Sequence, residues 1–109
     1  MRVCIAWGEG EVFGKLNNTP AAKNLAAVLP HTSRANTWGK EVYCDLPVEM
    51  VLEKDATDVV DPGAICYWVQ GSSLALPYGP TPVSRGTECR LVTAVNILGR
   101  IEGDPNLLA

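Results

Sequence analysis

The composition of this 109-residue chain suits one folded domain, since 47% of its residues are hydrophobic and 19% are charged, enough apolar surface for a core. The net charge of -3 and nine scattered basic residues argue against a nucleic-acid partner, because phosphate contacts need clustered Lys and Arg. The apolar runs are far shorter than the roughly 18 residues of a membrane span, and the N-terminal run lacks the length and cleavage pattern of a signal peptide. We therefore expect a cytoplasmic single domain over residues 1–109 with no membrane partner.

The first 16 residues predict a β-hairpin. Apolar side chains alternate over residues 2–7, which indicates a strand with one buried face. Gly8-Glu9-Gly10 supplies a turn, and residues 11–16 return as a second strand.

A helix is expected next. Thr19 suits the N-cap, and Pro20 suits the first helical position, where no amide donor is needed. The helix ends before Pro30, because the residue that precedes a proline disfavours helical angles. Its apolar face is formed by residues at helical spacing: Ala22, Leu25, Ala26 and Leu29.

The rest of the chain predicts β-structure. Strands are expected at residues 41–46, 64–70, 74–78 and 91–101. Turn residues separate them, most clearly at Asp61-Pro62-Gly63. Three segments give weaker patterns: residues 48–60 fit no element, residues 83–92 fit a short helix or a loop, and residues 103–109 are expected to fray.

The four cysteines predict reduced, mostly buried thiols rather than a metal site. Cys4, Cys44, Cys66 and Cys89 form no C-x-x-C pair, and each has apolar or β-type neighbours. Counting leaves three disulfide pairings open. No histidine-rich or EF-hand pattern accompanies the cysteines, so we expect neither a metal nor a cofactor.

Four segments carry a resemblance to a known family. They are residues 36–43 (NTWGKEVY), 63–68 (GAICYW), 78–84 (YGPTPVS) and 94–101 (AVNILGRI). In order and type they resemble the segments of an uncharacterised prokaryotic family of cyclophilin-like proteins with an NTWG signature. The resemblance implies a mainly β fold, namely a closed antiparallel cyclophilin-like barrel of about eight strands with one or two capping helices.

The resemblance does not carry over the cyclophilin active site. Cyclophilins are peptidyl-prolyl isomerases whose groove uses an arginine in an F-H-R segment and a G-S-Q-F-F stretch. Here Arg34 follows His31-Thr32-Ser33, and neither motif occurs. A divergent isomerase, or another enzyme that uses Glu41 and Arg34, therefore stays an alternative, because function depends on sites rather than on fold.

The candidate ligand site is a set of aromatic and polar residues near the family segments. Trp38 stands at a turn, Tyr67 and Trp68 point to opposite faces of one strand, and two prolines stiffen residues 79–82. Such a composition suits an apolar cleft for a small molecule or a short peptide. The predicted site residues are Arg34, Asn36, Trp38, Glu41, Tyr43, Tyr67, Trp68, Tyr78 and Pro82.

Other interpretations of these residues stay open. The aromatic residues could be core, and Glu41, Tyr43 and Asp45 could share a solvated outer face. His31 could cap the helix, act as a general base or form a dyad with Cys44. The favoured function is non-catalytic binding of a small organic ligand or short peptide. An enzyme, or an interaction module that self-associates as a homodimer through exposed aromatics, is the alternative.

Overall fold

The computed structural model describes residues 1–8 and 10–108. Over these residues the chain is mainly β, with one α-helix and one 3-10 helix. In chain order the elements are β1 (Arg2–Trp7), β2 (Gly10–Leu16), α1 (Pro20–Ala27), β3 (Asn36–Thr37), β4 (Glu41–Asp45), β5 (Thr57–Val60), β6 (Ala64–Trp68), β7 (Ser73–Pro77), β8 (Cys89–Ile101) and the 3-10 helix (Pro105–Leu108).

The predicted hairpin is confirmed, and so is the helix except at its end: α1 stops at Ala27, so Leu29, which was expected on its apolar face, lies beyond it and is exposed. β1 pairs antiparallel with β2 along its whole length; the predicted turn between them includes Glu9, which lies outside the described residues. Thr19 caps α1, since its Oγ1 accepts a hydrogen bond from the Ala22 amide at 3.2 Å. The buried face of α1 holds Ala21, Ala22 and Leu25, and the helix packs against β8. No helix in the described part of the chain is long and apolar enough to cross a membrane.

The strands form one antiparallel sheet that does not close. Its order is β1-β2-β8-β6-β7-β4-β3, and β5 pairs with β8. The expectation of a closed barrel is therefore wrong: within residues 1–8 and 10–108 no ladder joins β1 to β3. β3 has only two residues, too few for a full ladder, and side chains of β1, β3 and β4 line one cavity between these edges. We call this space, of about 530 Å³, the seam cavity.

Two apolar cores lie on the sheet. The larger core packs α1 and the 3-10 helix against one face and includes Leu25, Ile65, Tyr67, Leu98 and Leu108. The smaller core lies on the other face. Its members are Val60, Ala64, Cys66, Ala75, Cys89, Leu91 and Val95, with Tyr43, Trp68 and Ile97 packed against them. Strand alternation separates Tyr67 from Trp68, because consecutive side chains of a strand point to opposite faces.

Several segments differ from the sequence expectations. Of the C-terminal residues expected to fray, Pro105–Leu108 form the 3-10 helix and Leu108 is buried in the larger core, while residue 109 lies outside the described residues. Residues 83–88 are irregular, and the last strand begins at Cys89. The weakly patterned residues 48–60 end in β5. The buried Asn96 holds this segment: its Nδ2 donates to the Val51 carbonyl at 2.9 Å, and its Oδ1 accepts from the Glu53 amide at 2.8 Å.

Candidate functional site

A cleft of about 250 Å³ opens over the smaller core. It is bordered by β4, β6, β7 and β8 and by the turn that precedes β4. We call it the aromatic cleft. Its lining residues are Trp38, Glu41, Tyr43, Trp68, Ala75, Leu91, Val92 and Val95.

Glu41 is the charged group of the aromatic cleft. It lies on β4 opposite Pro77 of β7, and only 6% of its surface is exposed, so the solvated-face interpretation is wrong for this residue. Among the described residues no group hydrogen-bonds or ion-pairs with its carboxylate. Burial raises the pKa of the Glu41 carboxyl from 4.5 to about 7, because low polarity disfavours the charged form.

Trp68 is held in one orientation on the opposite wall. Its Nε1–H donates to Thr93 Oγ1 of β8 at 2.8 Å. Its ring also lies against the backbone of Gly71, where a Cβ atom would come within 2.3 Å of the ring. The neighbouring Tyr67 points into the larger core, where its hydroxyl donates to the Val48 carbonyl at 2.5 Å.

Trp38 sits on a turn that the proline-rich segment supports. Gly39 follows it with a φ of +59°, a conformation that L side chains rarely adopt. A Cβ atom at Gly39 would lie 2.9 Å from Pro82 Cδ, so the two segments are in close contact. Lys40 donates its amide to the Pro80 carbonyl at 3.0 Å and accepts from the Tyr78 amide at 2.8 Å. The NTWG and GPTP segments thus form one packed unit.

The TPVS segment ties this unit to the beginning of β8. Ser84 Oγ accepts hydrogen bonds from the amides of Thr81, at 2.9 Å, and Arg90, at 3.0 Å. Thr81 Oγ1 in turn donates to the Arg90 carbonyl. These bonds position the part of β8 that contributes Leu91 and Val92 to the aromatic cleft.

The structure brings together four of the nine predicted site residues: Trp38, Glu41, Tyr43 and Trp68. The other five lie elsewhere. Tyr67 and Tyr78 pack in or against the larger core, Pro82 contacts the turn without lining the cleft, and Asn36 and Arg34 are exposed outside it.

The aliphatic lining was not predicted from the sequence; its residues are Ala75, Leu91, Val92 and Val95. The signal for part of it was present, because Leu91 and Val95 recur at even spacing along the last predicted strand. Strand pairing decides which face of that strand borders the cleft, and local sequence patterns do not specify this pairing.

Two buried thiols lie beside Glu41. Burial raises the pKa of Cys66, and the nearby Glu41 and Cys89 raise it further. Burial likewise raises the pKa of Cys89, followed by the charges of Asp61 and Glu41. Cys89 Sγ contacts the Gly79 carbonyl oxygen at 3.2 Å. Such thiols behave as small apolar groups at neutral pH. Cys44 is half-buried, and Cys4 is exposed, contrary to the expectation of burial.

The seam cavity is lined by His31 and Cys44, for which a dyad was one of the open interpretations. His31 Nε2 lies 3.0 Å from the Asp45 carbonyl oxygen, so this contact occupies one ring nitrogen. Burial raises the pKa of the Cys44 thiol, with a smaller contribution from Asp45, which disfavours the thiolate that a Cys–His dyad requires. The aromatic cleft is therefore the better candidate site.

Comparisons with known proteins agree with this fold. Residues 1–109 match the family model described as cyclophilin-like. The solution structure of a hypothetical protein from Archaeoglobus fulgidus is 36% identical, with a TM-score of 0.78; the match covers 93% of this chain and 79% of that chain. A search of curated proteins finds no match. With the family model spanning the whole sequence, the chain belongs to the cyclophilin-like family.

Proposed function

We propose that the protein binds a small organic ligand in the aromatic cleft. The observation that carries this proposal is the Glu41 carboxylate: it opens onto the cleft among aromatic and aliphatic side chains and has no hydrogen-bond partner among the described residues. Small-molecule sites combine mostly apolar walls with a few placed polar groups, and Glu41 is such a group.

The walls of the aromatic cleft are preorganised in the ligand-free protein. Trp68 is fixed by Thr93 and Gly71, and the Trp38 turn is fixed by its contacts with residues 80–82. Fixed side chains lose little freedom on binding, which favours affinity. The volume of about 250 Å³ is slightly below the roughly 300–1,000 Å³ of typical ligand sites, which favours a small molecule over a peptide.

A catalytic role for Glu41 is the second candidate. A carboxyl group with a pKa near 7 is suited to general-base work. Of the cleft-lining residues within 1–8 and 10–108, only Glu41 and Tyr43 carry an acidic side-chain group, and Arg34 lies outside the cleft. Binding thus needs fewer additional groups than catalysis and is the function that the geometry supports best.

Chemical-shift mapping tests the proposed function. We expect neutral and charged single-ring compounds to shift the indole N–H resonances of Trp38 and Trp68, which line the aromatic cleft. Trp7 lines the seam cavity and serves as an internal control. A panel in which no compound shifts the two cleft tryptophans at millimolar concentration would contradict the proposal.

A blocked cleft provides the matched variant. Val92 is 55% exposed at the cleft, so Val92→Trp should cover the opening without disturbing the core. Val51→Trp adds the same side chain at a position that is 84% exposed and is not a lining residue. We expect binding to weaken at least tenfold in Val92→Trp and to persist in Val51→Trp. Equal affinity in both variants would place the bound compound elsewhere.

A further inference from the structure

We propose that the aromatic cleft selects ligands with a protonated nitrogen, that is, small organic amines or amidines whose N–H groups donate to Glu41 while an apolar body lies among Trp38, Tyr43 and Trp68. This inference rests on the proposed function and names its ligand class.

The first argument is the missing partner of Glu41. A buried carboxylate is costly unless a cation or several donors accompany it. Glu41 as a whole is 6% exposed and has no hydrogen-bond partner among residues 1–8 and 10–108. No described side-chain oxygen is both buried and unpartnered, so the exposed part of Glu41 includes its carboxylate, which faces the aromatic cleft. An ionised carboxylate is purely an acceptor, so its complement is a donor-only group such as an ammonium or an amidinium.

The second argument is that two positively charged side chains near the cleft, those of Lys40 and Arg90, are directed or engaged elsewhere. The stem of Lys40, the residue beside Glu41, lies over Gly79, where an added Cβ would be 2.6 Å from Lys40 Cδ. Arg90 is engaged by Glu88 at 2.7 Å and by Asp58 at 2.8 Å. Neither residue lines the cleft, so the lining contributed by the described residues holds one carboxylate and no positive side chain.

The third argument is the aromatic lining. The faces of Trp and Tyr rings attract cations, and the attraction grows when water is excluded. Three of the eight lining residues are Trp or Tyr, and two of these three are tryptophans. A neutral ligand that only accepts hydrogen bonds would gain nothing from the attraction of these ring faces for cations. The combination of acceptor-only carboxylate and aromatic walls therefore favours a cation.

A pair of nearly isosteric probes tests the inference: benzylamine, protonated at pH 8, and neutral benzyl alcohol. Affinities are measured from the Trp38 and Trp68 indole shifts. We expect benzylamine to bind at least tenfold more tightly, the ratio given by about 1.4 kcal/mol of charge-assisted hydrogen bonding. In Glu41→Gln the preference should fall to about twofold or less, and in the exposed control Glu49→Gln it should persist.

A pH series on the wild-type protein tests the same point without a substitution. The ionisable groups around Glu41 are Tyr43 on β4, Cys66 on β6 and Cys89 on β8. The two thiols have raised pKa values and stay neutral below pH 8, so Glu41 is the group that changes charge. We expect the benzylamine preference to decline as the pH falls from 8 to 5.5.

The outcomes separate the two proposals. Equal binding of the two probes at the cleft, or a preference independent of pH and of Glu41→Gln, overturns the cation inference and leaves the proposed function standing. If neither these probes nor the wider panel shifts Trp38 and Trp68, both proposals fail.

Discussion

Trp68 Nε1–H donates to Thr93 Oγ1 at 2.8 Å, a side-chain bond between the neighbouring strands β6 and β8. Thr93→Val keeps the shape of the side chain and removes the acceptor. We expect a loss of about 1–2 kcal/mol in unfolding free energy, because a partly buried donor is left without its partner. Urea unfolding measures this loss, and the Trp68 indole shift reports the altered orientation.

Thr93→Ser is the matched control, since it keeps the hydroxyl. We expect its Trp68 indole resonance to stay near the wild-type position. A Thr93→Val protein with unchanged stability and an unchanged Trp68 resonance would show that this bond does not orient the ring.

Glu41 should make the protein less stable as the pH rises. Its pKa is raised from 4.5 to about 7 in the folded state, so the folded protein binds more protons than the unfolded chain between these values. The contribution of Glu41 to the unfolding free energy is therefore fully present below pH 4.5 and is lost as the pH rises through about 7. The loss is at most about 3 kcal/mol, at 1.36 kcal/mol for each pKa unit.

The difference between wild type and Glu41→Gln isolates this contribution. Glu88 and Glu102 have lowered pKa values, owing first to hydrogen bonds from Arg90 and Arg2, and they contribute equally in both proteins. We expect urea unfolding at pH 5, 6, 7 and 8 to give a flatter profile for Glu41→Gln. Parallel profiles would mean that Glu41 is charged and compensated in the folded protein.

Gly39 should tolerate no side chain. Gly39→Ala combines an unfavourable φ of +59° with a contact of 2.9 Å to Pro82 Cδ. Gly86→Ala serves as control, because Gly86 has a similar φ of +66° with nothing within 4 Å of an added Cβ. Backbone strain alone costs roughly 1–3 kcal/mol. We expect Gly39→Ala to lose more stability than Gly86→Ala and, unlike the control, to shift the Trp38 resonance.

Prolyl isomerase activity should be absent or very weak. Arg34, which precedes the NTWG segment, is exposed and lies outside the aromatic cleft, so it cannot act on a substrate bound there. A protease-coupled assay with prolyl peptides measures the rate against an authentic cyclophilin. A comparable rate that disappears in Arg34→Ala would refute this prediction.

The local patterns of the sequence predicted most strands and the helix because these elements depend on nearby residues. The alternation in β1 and β4 and the Thr19-Pro20 start of α1 are examples. β5 escaped prediction because its segment is held by Asn96, more than 40 residues away in sequence. Closure of the sheet was mispredicted because it depends on whether the two edge strands meet, which no local pattern records.

Only part of the candidate site was predicted, because local sequence patterns do not show which residues the folded sheet brings together. Trp38 and Glu41 were both predicted because they lie only three residues apart, on the turn before β4 and at the first residue of that strand. Tyr78 was predicted at the site but lies against the larger core, because aromatic character does not reveal which core a residue packs against. Val92 was missed because a single exposed aliphatic residue on a strand carries no signal of its own.

β8 contributes to both faces of the sheet, with Leu91 and Val95 in the smaller core and Leu98 and Ile101 in the larger. Its 13 residues share ladder hydrogen bonds with β2, β5 and β6. In the C-terminal part of β8, Gly99 and Arg100 pair with both β2 and β6, so amide hydrogens there can exchange with solvent only when several strands separate at once. A bound ligand stabilises the folded state, in which the strands are paired. Occupancy of the aromatic cleft should therefore also slow amide exchange at Leu98 and Ile101, whose side chains lie in the larger core, on the face of the sheet that the ligand does not contact.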